Sequence, residues 1–333
     1  MTKIRFGIIG TNTISDRFIH GARMDSRFAL TAVCSRSIGR AEEFARRHGI
    51  EHLFTSVEEM AASNAVDAVY IATPNSLHAS QSIICMNHGK HLLCEKPFAS
   101  NAREVKEMIA ASQRNGVTLM EAMKTTLTPN FRHILANIGS VGKIRRYFAS
   151  YCQYSSRYDK FKNGIILNAF NPEFSNGAVM DIGTYTIYPM VVLFGKPDSI
   201  TASGLKLHTG VDGQGSATFG YDGMEAGVIY SKIADSFLPS EIQGENGSIL
   251  IDNIHSMETI RFIPHSTKTA VDWTVAHGCR DEYFHEAAEF IDTVIGGRIE
   301  SAINTHANSL ATIEIIDEIR RQTGIEFPSD KLA

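Results

Sequence analysis

The sequence predicts an α/β amino-terminal domain on a doubly wound parallel sheet, then an α+β domain with a large, open, mostly antiparallel sheet. Three observations carry this. Short apolar runs alternate with helix-period segments up to about residue 122. A glycine turn follows the first of those runs. From Ile200 to Val275 the segments are β-like and broken by Asp212-Gly213, Asp222-Gly223 and Asn246-Gly247, the strongest short-range hairpin signals. The expected domains are 1–122 and 123–333, and 333 residues with 43% hydrophobic and 20% charged side chains can fill two cores.

Taken in order, the expected strands of the first domain are Ile4–Ile9, Ala29–Cys34, Ala68–Ala72, His91–Cys94 and Thr118–Met120. Helices are expected over Ile14–Met24, Gly39–His48, Ser76–His88 and Ala102–Asn115. Ser56 with Glu59 and Asn101 with Glu104 read as capping boxes. Apolar strands alternating with helices of this length imply βαβ units covered on both faces. In the second domain a helix follows Pro129, a strand covers Ile144–Tyr154, and a long apolar helix spans Ala178–Phe194. The tail returns to helix at Asp281–Ile295 and Thr305–Thr323, stopped by Gly324.

Composition narrows the partners. The net charge is −4 and no basic block occurs, so a nucleic-acid partner is not expected. No run of about 18 apolar residues indicates a membrane span. The five cysteines are scattered without metal-ligand spacing, as reduced thiols in a cytoplasmic protein would be. His285-Glu286-Ala287-Ala288-Glu289 approaches a helical zinc motif, but Glu289 stands where the second His belongs, and no metal site is expected.

The turn Gly10-Thr11-Asn12-Thr13-Ile14-Ser15 joins strand to helix at the position of a Rossmann dinucleotide fingerprint, where helix-start amides meet a pyrophosphate. Asn12 and Ser15 replace the second and third glycines, and on its own the turn is equally a plain βα connection. Such folds usually hold the ribose of NAD with an acid about 20 residues on. Here Arg27–Arg40 contains none and offers Ser35, Arg36 and Arg40 instead. A hydroxyl and guanidinium groups suit a 2′-phosphate, so NADP(H) is favoured over NAD(H), although strand-end arginines are often simply solvated.

Three further segments complete the pattern. Thr73-Pro74-Asn75-Ser76-Leu77-His78 and Glu95-Lys96-Pro97 lie at carboxyl ends of expected parallel strands, and Asp181-Ile182-Gly183-Thr184-Tyr185 opens the long helix. With Glu121-Ala122, this order resembles the Gfo/Idh/MocA oxidoreductases, the glucose–fructose oxidoreductase and inositol dehydrogenase family. Tyr185, where inositol dehydrogenases carry His, makes it more similar to the dihydrodiol dehydrogenase and NADP-dependent sugar dehydrogenase branch. The resemblance implies that Lys96 sits beside the nicotinamide and bonds the reacting oxygen, often beside a cis Pro97. It implies that Tyr185 exchanges the proton, Asp181 orients Lys96, Asn75 and His78 line the cofactor, and Glu95 holds its ribose. Asp181 and Tyr185, four apart, share a helix face. Thr126 stands where the family often has Arg, which leaves Lys124, Arg157, Tyr158 and Asn171 as substrate-pocket candidates.

The expected activity is hydride transfer between the nicotinamide and a secondary alcohol or hemiacetal carbon of a sugar-like, polyol or cyclic diol substrate. Two rivals stand beside it. An NAD-dependent redox-assisted glycosidase would cleave aryl glycosides without added cofactor. A dinucleotide-sensing regulator would bind cofactor and turn over no alcohol. The resemblance also implies a homodimer or homotetramer formed through the second sheet.

Overall fold

Six parallel strands form the first sheet of the computed structural model, which describes residues 2–276, 279 and 281–331. They are β1 (Ile4–Ile9), β2 (Phe28–Cys34), β3 (His52–Phe54), β4 (Ala68–Ile71), β5 (His91–Glu95) and β6 (Leu119–Ala122), in the order β3-β2-β1-β4-β5-β6. The winding reverses between β1 and β4, so a crevice opens at their carboxyl ends, the place where such sheets bind ligands. Helices α1 (Thr13–Ala22), α2 (Ile38–His48), α3 (Val57–Ala62), α4 (His78–Asn87) and α5 (Ala102–Asn115) connect them. Both capping boxes form: the Ser56 hydroxyl accepts from the Glu59 amide and the Asn101 carbonyl oxygen from the Glu104 amide. The three-residue edge strand β3 carries too short an apolar run to be read from sequence.

The second sheet has eight strands. After α6 (Pro129–Asn137) come β7 (Ile144–Cys152), α7 (Tyr158–Lys162) and α8 (Thr184–Phe194). Then follow β8 (Ser199–Lys206), β9 (Asp212–Tyr221), β10 (Met224–Ser231), β11 (Ser240–Gly244), β12 (Gly247–Ile251), β13 (Ile260–Pro264) and β14 (Val271–Asp272). Their order is β14-β13-β12-β11-β7-β10-β9-β8, antiparallel except for β7 beside β10. One face is apolar: Tyr147, Ala149, Ala226, Val228, Tyr230, Ile242 and Ile249 are all buried. The helical stretch Pro172–Phe194 is apolar and long enough to cross a membrane, yet 78% of its most apolar part is buried within the protein. It is a core helix of this unit.

The hairpin signals divide. Asp222-Gly223 makes the β9–β10 turn, with Gly223 at φ +78°, and Glu245-Asn246 turns β11 into β12. Asp212-Gly213 is not a turn but opens β9; the bend lies just before it, at Gly210 with φ +99°. The Asp212 side chain has another use, described below.

The chain ends with α9 (Glu282–Ile295) and α10 (His306–Thr323). It divides into two compact units, Met1–Lys124 with Cys279–Leu310, and Thr125–Gly278 with Ala311–Ala333. Residues 279–310, assigned from sequence to the second domain, therefore pack with the first. The reason is a close helix pair: a Cβ on Gly21 of α1 would lie 2.7 Å from that of Tyr283 and 2.8 Å from the Phe284 nitrogen of α9. Phe290 of α9 reaches the sheet, its ring 5.7 Å from that of Phe6 on β1. An apolar helix face alone does not say which sheet it will cover.

Candidate active site

In the first unit the glycine turn is built by side chains as well as backbone. Gly10 has φ +105°, and a Cβ there would lie 2.5 Å from the Ala72 carbonyl oxygen, so the β1 and β4 ends can approach only through glycine. Asn12 caps α1, accepting from the amides of Ile14 (2.9 Å) and Ser15 (3.1 Å), and donates Nδ2 to Ala72 O at 2.6 Å. Ser15 is buried and donates to Gly10 O at 2.7 Å. The two residues that depart from the glycine pattern thus fix the turn, leaving the amides of Thr11, Asn12 and Thr13 at the mouth of α1 for a phosphate.

Beside the turn lies a cavity of about 170 Å³ lined by Thr11, Arg40, Glu43, Phe44 and Arg47. Thr11 and Arg40 belong to the predicted cofactor set; Glu43, Phe44 and Arg47 do not, because α2 reads from sequence simply as an amphipathic helix. Arg47 stacks over the Phe44 ring at 5.2 Å and reaches Asp16 at 3.3 Å. Ser35 and Arg36 follow β2, with Arg36 exposed. Guanidiniums beside an aromatic face suit the adenosine end of a dinucleotide, and its 2′-phosphate in particular.

The ends of β4 and β5 are tied together by His78. It is buried, with Nδ1 3.0 Å from Pro97 O and Nε2 3.0 Å from Thr73 O. Burial and then the nearby Lys96 charge hold its pKa below the usual imidazole range. Through the two carbonyls it anchors the two loops to each other. Asn75 is buried in the 3₁₀ turn Asn75–Leu77, after Pro74, and Thr73 donates to Gln81 Oε1 at 2.8 Å. The Lys96–Pro97 bond is cis.

The Glu95 carboxylate accepts the Tyr70 hydroxyl at 2.5 Å and the Lys96 amide at 3.1 Å. Burial raises its pKa against the opposing pull of Lys96. Tyr70 stacks on Phe18 at 3.8 Å, which fixes the hydroxyl. Behind them lies Glu286 of α9, fully buried, neither oxygen hydrogen-bonded among the described residues, its pKa raised by burial and by Glu95. On β6, Glu121 receives the Phe98 amide, and burial pushes its pKa up to about 8. Lys124 is buried and pairs with Glu282, its ammonium 5.2 Å from the Tyr283 ring, so this pocket candidate faces α9 of its own unit.

In the second unit Asp181 lies in a π-helical turn, Val179–Gly183, that leads into α8. Such turns recur at functional sites because they widen the helix and re-aim side chains. Asp212, missed from sequence, holds the start of this turn: its carboxylate accepts from Ala178 N (2.9 Å) and Val179 N (2.8 Å). Gly177, at φ +149°, makes room for it, since a Cβ would meet Asp212 Oδ1 at 2.3 Å. Asp212 is buried, which pushes its pKa up to about 6. Asp181 itself is gripped by the Lys232 ammonium.

Tyr185 is buried and packs edge-on against Tyr151, 5.6 Å away, which stacks on His255 at 4.5 Å. Tyr158 sits in an aromatic cluster with Tyr154, Phe161 and Phe170. Arg157 is exposed at the start of α7, and Asn171 caps the turn after it by accepting the Glu173 amide at 3.0 Å. The zinc-like segment is bound up in protein contacts: His285 Nε2 lies 3.0 Å from Cys279 O and Glu289 accepts the Ser301 hydroxyl at 2.7 Å.

A doubly wound sheet with an amide-lined turn at its switch point, joined to a large antiparallel sheet, defines a two-domain dinucleotide-dependent oxidoreductase. A family model described as an oxidoreductase family with an NAD-binding Rossmann fold matches residues 4–123, and the GFO/IDH/MocA C-terminal domain matches residues 132–250. The chain belongs to the Gfo/Idh/MocA oxidoreductases. It is 51% identical to scyllo-inositol 2-dehydrogenase (NADP(+)) of Bacillus subtilis, over 98% of this chain and 99% of that one. It is 31% identical to trans-1,2-dihydrobenzene-1,2-diol dehydrogenase of Danio rerio, over 98% and 99%. Among solved structures, levoglucosan dehydrogenase with NADH and levoglucosan shares the fold at TM-score 0.83 and 21% identity, over 97% of this chain and 98% of that one.

Proposed function

We propose that the protein is an NADP(H)-dependent dehydrogenase of a cyclic polyol, with an inositol as the leading substrate. The observation that carries this is the end-to-end 51% identity to an NADP(+)-dependent scyllo-inositol dehydrogenase. It is supported by a β2 end that offers Ser35, Arg36 and Arg40 and no acid.

A nicotinamide, when bound, would supply the hydride chemistry at the substrate carbon. The chain's own residues do the rest. Lys96 donates to the reacting oxygen and stabilises negative charge on it, and Tyr185 carries its proton. Asp181 orients the polar groups of the site. The amides of Thr11, Asn12 and Thr13 hold the pyrophosphate, and Ser35, Arg36 and Arg40 hold the 2′-phosphate. Arg157, Tyr158 and Asn171 are the remaining candidates for contacts with ring hydroxyls. Five free cysteines suit a cytoplasmic enzyme, and pairing through the exposed face of the second sheet suits a homodimer or homotetramer.

Initial rates with scyllo-inositol, myo-inositol, trans-dihydrodiols and monosaccharides, each with NADP⁺ and NAD⁺, test the proposal. The highest kcat/KM is expected for an inositol with NADP⁺, at least tenfold above NAD⁺. Turnover of none of the cyclic polyols, or a preference for NAD⁺, would refute it.

A further inference from the structure

We infer that Lys232, a residue outside every motif of the sequence, is the positioning residue that clamps Asp181 and serves as its resident counter-ion. The inference rests on the reading of Asp181 as part of the reaction site.

The geometry is specific. Lys232 follows β10 and is 3% exposed, a rare state for lysine, which is buried almost only when paired. Its ammonium donates to Asp181 Oδ2 and stands 5.5 Å from the centre of the Phe170 ring. Its backbone is held on both sides: Lys232 N donates to Gly213 O at 2.8 Å and Lys232 O accepts from Ser155 N at 2.9 Å. The lysine therefore enters from a fixed strand end, not a mobile loop.

The neighbouring acid does not compete. Both oxygens of Asp212 are occupied by the amides of Ala178 and Val179, so it acts on the backbone of the π turn while Lys232 acts on the side chain one turn later. Lys232 pairs with Asp181 and its charge also acts on Asp212, while Tyr185 lies farther along the same helical stretch. A carboxylate one-third exposed and held by a buried lysine is restricted in its rotamer.

The test uses full-length protein labelled with ¹³C at aspartate carboxyls, with the Asp181 resonance assigned by its loss in Asp181→Asn. In Lys232→Met the Asp181 titration midpoint is expected to rise, because the favourable charge is gone. kcat is expected to fall tenfold or more, with NADP(H) affinity within twofold of native. Combining the two substitutions should cost no more than Asp181→Asn alone, since Lys232 acts only through Asp181. Lys232→Gln, which keeps a donor without the charge, carries the same titration expectation should Lys232→Met not fold. An unmoved midpoint, or fully additive losses in the double variant, overturns the inference. If native protein turns over no polyol, the proposed function fails while the carboxyl titration still decides the clamp.

Discussion

Glu121 offers the sharpest test of how the loop bearing Lys96 is held. The residue is 2% exposed on β6, beside Cys94 of β5, and receives the Phe98 amide two residues past Lys96. Burial is the main cause of its raised pKa, about 8 against an ordinary 4.5. A carboxyl whose pKa is higher in the folded state binds its proton more tightly there. Its contribution is complete below pH 4.5 and is lost as pH rises through about 8. The full loss approaches about 5 kcal/mol, and the part falling between about pH 6 and about pH 9 is roughly 2.5 kcal/mol. Glu121→Gln keeps the shape and the acceptor for Phe98 but does not ionise. Urea unfolding of both proteins at the two pH values is therefore expected to show native protein losing roughly 2.5 kcal/mol more than the variant. Parallel losses would mean that Glu121 is already ionised at neutral pH and that a charge, not a neutral acid, holds the loop.

Three other outcomes are expected. Lys96→Ala should remove nearly all turnover, on the order of 10³-fold or more, while NADPH binding by fluorescence stays close to native. Arg40→Ala should raise the KM for NADP⁺ by roughly 10- to 100-fold, the loss of one charge-assisted bond to phosphate, and leave the KM for NAD⁺ unchanged. Gly177→Ala places a methyl where Asp212 Oδ1 now sits and breaks both of its amide bonds. A stability loss of about 3 kcal/mol or more by urea unfolding is expected, with kcat falling because the turn carrying Asp181 shifts.

Much of this was legible from sequence because local signals and final structure agreed. Five of the six parallel strands, all but β3, stand within two residues of their expected ends, since each is an apolar run beside helix signals. Ser15 is small and buried at the turn, whereas Asn12, at φ −105°, serves through its side-chain cap of α1 and not through a left-handed backbone. What sequence missed depends on contacts between distant segments. Asp212-Gly213 has the composition of a hairpin turn, and nothing nearby tells that its carboxylate caps a helix 34 residues earlier. Lys232 follows a strand, where a lysine normally ends in water. His78, expected to line the cofactor, also ties the loops after β4 and β5 through two carbonyls that nothing nearby in sequence reveals. The π turn at Val179–Gly183 leaves no periodic trace, because five residues are too few to shift an apolar repeat.

The return of residues 279–310 to the first unit has a consequence for how this polypeptide is made. The two units interrupt each other: the chain enters the second after Lys124, leaves it before α9 and returns to it after Leu310. A ribosome that has released only the six-stranded sheet has not yet made Phe290, and Phe6 and Gly21 wait more than 150 residues for the helix that covers them. The cofactor-binding half therefore finishes folding only after residues 125–278 of its guest have been synthesised. A gene fragment stopping at the apparent linker would encode an open-sided sheet, and truncation near residue 276 would damage both halves, taking α9 from the first and residues 311–333 from the second.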